Sequence, residues 1–458
     1  MRTRTAAVAL LLMLSVTGTS FAWRNAMWIA PWDPASLTSV QLNGSALSES
    51  NPVWYEWKND ATIVAGWNAE NPTWRAALTG TQLMPTIQNI VSGSFDANVV
   101  TTMLSSVSTR DAHAETIAQL VVAKGYDGID IDYERVPTAQ RANFTAFITT
   151  LSQKLHSANR KLSVTVYPKT SDKDNWNGPG SQDWITLGKL ADSIKIMAYD
   201  YSWDGSTAGP ITPLDWLDRV TTYAESTIAS DKIIVGLPFY GYDWVGTAAK
   251  TVTYASALKL AQTNGATIVR DANGEATFTY GGTHTVYFQD AAAYSKKIDV
   301  LRQKHPHIGG FSAWCAGQED PEIWHILRDL NYVSVAVPGI GGTPVARDFA
   351  IVGPSSLTMA QGATTAAEFR LAAINGFDSE ATVTILAIGR FDGTLSASAS
   401  TLSPTSALTL RAGALATTRP GTYALIVRVT SGSISHDQTV TLTVTPAAAK
   451  GRTRAVGK

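Results

Sequence analysis

Between Trp23 and Tyr332, strand-like runs alternate with helical stretches, and this alternation most restricts the folds open to the chain. Met27–Trp32, Val53–Trp57, Gln82–Gln88, Asp127–Tyr133, Leu162–Tyr167, Ile194–Tyr199, Lys232–Pro238 and Ile308–Trp314 read as strands. Asp111–Ala123, Ala139–His156, Pro213–Ile228 and Ala292–Lys304 read as helices between them. Eight strands with intervening helices in ~310 residues predict an α/β architecture, the (β/α)8 TIM barrel. The stretch from Thr251 to Phe288 is longer than a usual crossover. It carries Asp271-Ala272-Asn273-Gly274 between Thr267–Val269 and Ala276–Tyr280, a hairpin signal. A small α+β insertion over about 245–290, between strands 7 and 8, is therefore expected to wall one side of a cleft.

The chain is long enough for a second domain. Val337-Pro338-Gly339-Ile340-Gly341-Gly342-Thr343-Pro344 reads as a flexible linker within 333–346. From Arg347 to Pro446, Thr/Ser/Val/Ala alternation such as Ala381–Leu386 predicts an all-β sandwich, and the basic tail 447–458 is expected to be disordered. At the other end, Met1-Arg2-Thr3-Arg4, the apolar run Ala6–Val16 and Ser20-Phe21-Ala22 form a signal-peptide pattern over residues 1–22. The protein is expected to be secreted, extracellular or periplasmic, with the mature chain starting at Trp23. No later segment reads as a spanning helix. With 36 basic and 37 acidic residues, the near-zero net charge argues against nucleic-acid or anionic-membrane partners. Cys315 is the only cysteine, so no intramolecular disulfide can form. A monomer without cofactors is expected.

Chemistry concentrates in Gly125-Tyr126-Asp127-Gly128-Ile129-Asp130-Ile131-Asp132-Tyr133-Glu134. Ile129, Ile131 and Tyr133 alternate with Asp130, Asp132 and Glu134, which puts three carboxylates on one face of a strand. Neighbouring carboxylates raise one another's proton affinity, as a general acid near neutral pH requires. Trp32, Trp57, Tyr167, Tyr199, Trp203, Trp244 and Trp314 end or closely follow proposed strands, where barrel chemistry sits. Flat rings at a cleft mouth suit the apolar faces of pyranose sugars.

Asp127-x-x-Asp130-x-Asp132-x-Glu134 resembles the signature of glycoside hydrolase family 18, the chitinases and their relatives. Met197-Ala198-Tyr199-Asp200 resembles the family's strand-6 motif, and Trp314 sits where the family has its strand-8 tryptophan. Ala208-Gly209-Pro210, Leu237–Trp244 and Gln318-Glu319-Asp320-Pro321 are similar to the bacterial branch that includes spore-cortex-lytic glucosaminidases. Met84-Pro85-Thr86-Ile87-Gln88-Asn89 replaces the Ser-x-Gly-Gly run of many chitinases and also suits that branch. Asp348-Phe349, Asn375-Gly376-Phe377 and Pro420-Gly421-Thr422-Tyr423 resemble bacterial immunoglobulin-like repeats; such a domain could bind polysaccharide, but its few aromatics favour a spacer or protein contact.

The resemblance implies a retaining hydrolase of β-1,4-linked N-acetylglucosamine glycans, either chitin or peptidoglycan, in which the substrate's 2-acetamido oxygen is the nucleophile. It implies Glu134 as acid and then base, Asp132 as orienter of the acetamido N–H, Asp130 as its proton-sharing partner, and Tyr199 as donor to the acetamido carbonyl. Met197 would line the pocket and Trp314 would floor the sugar, with Asp200 and Tyr240 as further ligands. Trp32, Tyr167, Trp203 and Trp244 are the expected aromatic contacts. A lectin-like binder is the alternative from another class.

Lys195 shares the face of Met197 and Tyr199 one step deeper in the barrel, where Asp130 is its candidate partner. Cys315 is expected to face the helices as a small core residue, and His305-Pro306-His307 to be a solvated loop. The acidic run lacks EF-hand spacing and the histidines lack paired-ligand spacing, so no metal is expected.

Overall fold

The computed structural model describes residues 23–173, 176–332, 348–374, 379–388, 391–431 and 434–447. The expected leader 1–22, the expected linker 333–346, the Asn375-Gly376-Phe377 motif and most of the expected tail lie outside them. The chain divides into two compact units at Val337/Pro338.

In the first unit, β1 (Arg24–Ile29), β2 (Glu49–Trp57), β3 (Thr86–Gln88), β4 (Gly128–Asp132), β5 (Lys161–Val166), β6 (Ser193–Met197), β7 (Ile233–Pro238) and β8 (Gly310–Trp314) pair in parallel, each with its neighbours. β1 pairs with both β8 and β2, so the sheet closes into an eight-stranded barrel. The third expected strand is interrupted. Gln82–Leu83 and Thr86–Gln88 pair separately with β2, on either side of Met84 and of Pro85, which has no N–H to give to a ladder.

Side-chain alternation divides the barrel into two layers. Outward residues such as Ile29, Ile87, Ile129, Ile131, Val164, Ile194, Val235 and Phe311 form one apolar core with Phe144, Phe147, Leu151, Leu217, Val220 and Leu301 from the surrounding helices. Inward positions are largely polar: Glu49, Asn51, Thr86, Gln88, Asp130, Asp132, Ser163, Thr165, Lys195 and Ser312 are all buried. Buried polar groups of this kind are costly unless they satisfy one another, so the barrel interior requires a bonded network.

Helix boundaries follow local chemistry. Val107–Lys124 starts where the Ser106 hydroxyl accepts from Thr109 N and stops at Gly125, whose φ of 65° favours a residue without a Cβ. The next strand carries the acids.

Between β7 and β8 an antiparallel five-stranded sheet and the helix Tyr254–Thr263 form the α+β insertion. It begins at Tyr240, earlier than the expected 245, because Tyr240–Val245 is one of its inner strands, pairing with both Ala248–Thr253 and His284–Phe288. Val269–Arg270 and Ala276–Tyr280 pair antiparallel.

The second unit holds a four-stranded and a five-stranded sheet, whose buried Phe349, Phe369, Leu408 and Leu410 share one core with Leu425, Val427, Val440 and Leu442. Ser356–Ala360 runs parallel to Ile434–Thr445, and the Tyr423 hydroxyl donates to Arg419 O at 2.6 Å.

Candidate active site

The three acids stand at successive heights inside the barrel, and β3 meets them in register: Thr86 pairs with Asp130 and Gln88 with Asp132. Thr86 Oγ1 donates to Asp130 Oδ2 at 3.0 Å, and Gln88 Nε2 donates to Asp132 Oδ2 at 2.7 Å. Asn89 then clasps the backbone of Glu134: Glu134 N donates to Asn89 Oδ1 at 2.7 Å, and Asn89 Nδ2 donates to Glu134 O at 2.9 Å. Thr86, Gln88 and Asn89 are functional candidates that the sequence reading missed, having taken Met84–Asn89 only as a branch marker. Period-two polarity on the strand preceding the acids was the available signal.

Asp130 is the deepest and most bonded acid. Its carboxylate also accepts from Trp28 Nε1 and Thr165 Oγ1, each at 3.1 Å, and lies 3.4 Å from Lys195 Nζ. Trp28, absent from the expected aromatics, stands edge-on to Tyr199 at 6.5 Å. Room for its ring depends on Gly236, where a Cβ would lie 3.0 Å from the indole.

Asp132 is buried, and its Oδ1 has no partner among the described residues. Burial, and then the charge of Glu134, push its carboxyl well above the usual range. Glu134, just beyond β4, is half-buried, and burial raises its pKa to about 6 against the hydrogen bond from Tyr167. That bond, Tyr167 OH to Glu134 Oε2, measures 2.5 Å. Gly178, at φ 102°, fixes the Tyr167 ring from behind, since a Cβ there would sit 2.6 Å from it.

Tyr199 and Asp200 follow β6. Arg135 after Glu134 and Asp200 after Tyr199 both take left-handed backbone, with φ 56° and 57°, so the chain turns sharply after each functional side chain. Asp200 accepts from the hydroxyls of Tyr240 and Tyr242, the latter at 3.1 Å, which ties the insertion to the β6 loop. Met197 is 9% exposed at the top of the barrel, and the Trp314 ring lies 6.2 Å from Trp28. The Trp314–Cys315 peptide is cis. Trp32 and Trp203 stand exposed beyond the strand ends, as do Trp67 and Trp176, which sequence reasoning did not single out. Trp176 meets Tyr167 edge-on at 5.4 Å, and Asn68 Nδ2 donates to Pro31 O, joining the Trp67 loop to the Trp32 turn.

Several expectations are corrected. Trp244 is 1% exposed, packed with Ile211 and Tyr240 and donating Nε1 to Trp203 O, so it braces the wall and offers no face to a sugar. Trp57 lies outside the barrel against His113 and Tyr133, where burial lowers the imidazole pKa to about 4. Cys315 clusters with Trp28 and Ala30 at the barrel top and does not face the helices. His305 is 3% exposed, held by Glu225 at 2.7 Å and Asp218 at 3.0 Å, because the helix Leu214–Thr227 presents two carboxylates to it. Lys195 does reach Asp130, but its closer partner is Glu49, at 2.6 Å.

A closed parallel barrel with paired acids inside it and a carboxyl raised by burial at its C-terminal mouth defines a glycoside hydrolase of TIM-barrel class. Residues 82–319 match the family model described as Glycosyl hydrolases family 18, and the chain belongs to that family. It is 32% identical over 266 residues to YdhD of Bacillus subtilis (strain 168), described as a sporulation-specific glycosylase, covering 56% of this chain and 60% of that protein. The crystal structure of the Bacillus cereus spore cortex-lytic enzyme SleL superposes with a TM-score of 0.62 at 26% identity, over 69% of this chain and 75% of that one. A Chromobacterium violaceum chitinase structure, at 22% identity and TM-score 0.63 over 68% and 99%, shares the fold. The chain spans 60–65% of the length of such curated relatives.

Proposed function

We propose that this protein is a secreted retaining hydrolase of β-1,4 bonds in N-acetylglucosamine-containing glycans, working by substrate-assisted catalysis. The observation that carries the reading is the pairing of Glu134, proton-holding near pH 6, with a buried Asp132 whose Oδ1 has no partner among the described residues. An unsatisfied buried acceptor costs free energy until something donates to it. The N–H of a 2-acetamido group would do so. In this reading Glu134 protonates the glycosidic oxygen while the acetamido carbonyl oxygen attacks the anomeric carbon. The C–O bond to the leaving sugar breaks and an oxazolinium ion forms. Asp132 holds the N–H and offsets the positive charge, and the Tyr199 hydroxyl donates to the carbonyl oxygen. Glu134 then takes a proton from water, which opens the ring with retention.

Relatives described as a sporulation-specific glycosylase and a spore cortex-lytic enzyme favour cell-wall peptidoglycan as the second reading of substrate, beside chitin and its oligomers. The leader 1–22 supports action outside the cytoplasm. Three substrates test the proposal: fully N-acetylated chitotetraose, its de-N-acetylated counterpart and purified peptidoglycan, each given to the native protein and to Glu134→Gln. Cleavage of acetylated substrates alone, abolished in the variant, is expected. Equal cleavage of both tetramers would sink acetamido participation, and binding without cleavage by the native protein would favour the lectin-like alternative.

A further inference from the structure

Beneath the acids lies an ion pair that the proposed reaction does not use. Glu49, on β2, is 1% exposed, and its Oε1 meets Lys195 Nζ at 2.6 Å and accepts from Asn51 Nδ2 at 3.0 Å. The same ammonium donates to Ser163 Oγ at 2.8 Å and stands 3.4 Å from Asp130 Oδ1. Lys195 is thus shared unequally, with Glu49 holding it closer than Asp130 does.

Among the described residues, the charge inventory inside the barrel is short. Glu49 comes from β2, Asp130 and Asp132 from β4, and Lys195 from β6, with Glu134, Tyr199 and Asp200 above them. The other strands turn uncharged groups inward: Trp28 from β1, Thr86 and Gln88 from β3, Ser163 and Thr165 from β5, Gly236 from β7 and Ser312 from β8. One ammonium therefore faces the Asp130–Asp132 pair from below, and in a medium of low dielectric its exact partner matters. Burial and neighbouring acids raise the proton affinity of Asp132, and Lys195 opposes them.

We infer that Glu49 is a positioning residue for the proposed reaction: by holding the Lys195 ammonium it limits the positive charge reaching Asp130 and Asp132, and so keeps one proton on that pair, resting on Asp132 in the free protein and left to Asp130 when Asp132 takes the acetamido N–H. Without the Glu49 charge, Lys195 has only Asp130 to neutralise it, and Asp132 yields its proton more readily. The role deepens the reading given under the proposed function and rests on it, but it can be measured without turnover.

The experiment follows aspartate side-chain carboxyls by carbon-13 NMR in the labelled, substrate-free protein, with the Asp132 signal identified by its loss in Asp132→Asn. Four proteins are titrated: native, Glu49→Gln, Lys195→Met and the double variant. Glu49→Gln should lower the Asp132 midpoint by about one pH unit or more. In the Lys195→Met background, where there is no ammonium to release, the same substitution should shift it by less than about a third of that. A purely structural role would show no such dependence on Lys195. An unchanged midpoint in Glu49→Gln, or equal shifts in both backgrounds, would overturn the inference. If Glu49→Gln does not fold, Glu49→Asp, whose shorter arm loosens its grip on Lys195, should move the midpoint the same way; an unmoved midpoint there also overturns it. Native protein that titrates as expected yet leaves chitotetraose and peptidoglycan intact would refute the proposed function and leave the electrostatic coupling standing.

Discussion

Replacing Glu134, the acid of the proposed reaction, should stabilise the fold. Burial raises the Glu134 pKa from 4.5 to about 6. Between those values the folded chain holds a proton that the unfolded chain has released, so stability falls as pH rises through this window. Below pH 4.5 both states are protonated and nothing is lost; above about 6 the penalty is complete. A shift of 1.5 units corresponds to roughly 2 kcal/mol, since each unit is worth about 1.4 kcal/mol. Glu134→Gln removes the charge and keeps a group able to accept from Tyr167. It should be more stable than the native protein by about 1–2 kcal/mol at pH 7.5 and equal to it near pH 4. Urea unfolding followed by tryptophan fluorescence reads the barrel alone, because all 14 tryptophans precede the second unit. A variant no more stable at pH 7.5, or one with the same gain at both pH values, would refute the claim that Glu134 is held protonated by burial.

Two further expectations follow from the same geometry. Tyr167→Phe deletes the 2.5 Å bond that favours ionised Glu134, so the alkaline limb of kcat/KM should move up by about one pH unit, and a downward shift would contradict that role. Trp203→Ala should weaken substrate binding with a stability change under about 0.5 kcal/mol, as its ring is exposed, whereas Trp244→Ala should destabilise the barrel by about 3–5 kcal/mol in urea titration.

Legibility tracked periodicity and chemistry. The eight strands, the inward set Asp130 and Asp132, and the outward Ile129, Ile131 and Tyr133 followed from alternation alone, because the period of a strand does not depend on what lies across from it. Glu134 was legible as an acid beyond that strand, and Lys195 as a lysine in need of a carboxylate. Exposure was not legible. Trp203 and Trp244 each follow a barrel strand, yet one stands in solvent and the other is sealed under Tyr240 and Ile211, because the insertion begins at Tyr240 and folds back over the β6 loop.

Pairing across strands was the other hidden quantity. The primary sequence by itself determined an alternating chain and an acid triplet, two on its fourth strand and Glu134 just past it, since these are local properties of residue order. Only the closed barrel decided that Gln88 should meet Asp132, that Asn89 should clasp Glu134, and that Glu49, nearly 150 positions before Lys195, should hold its ammonium at 2.6 Å. Register between distant strands is set by packing the whole outer core against its helices, and no local pattern encodes it.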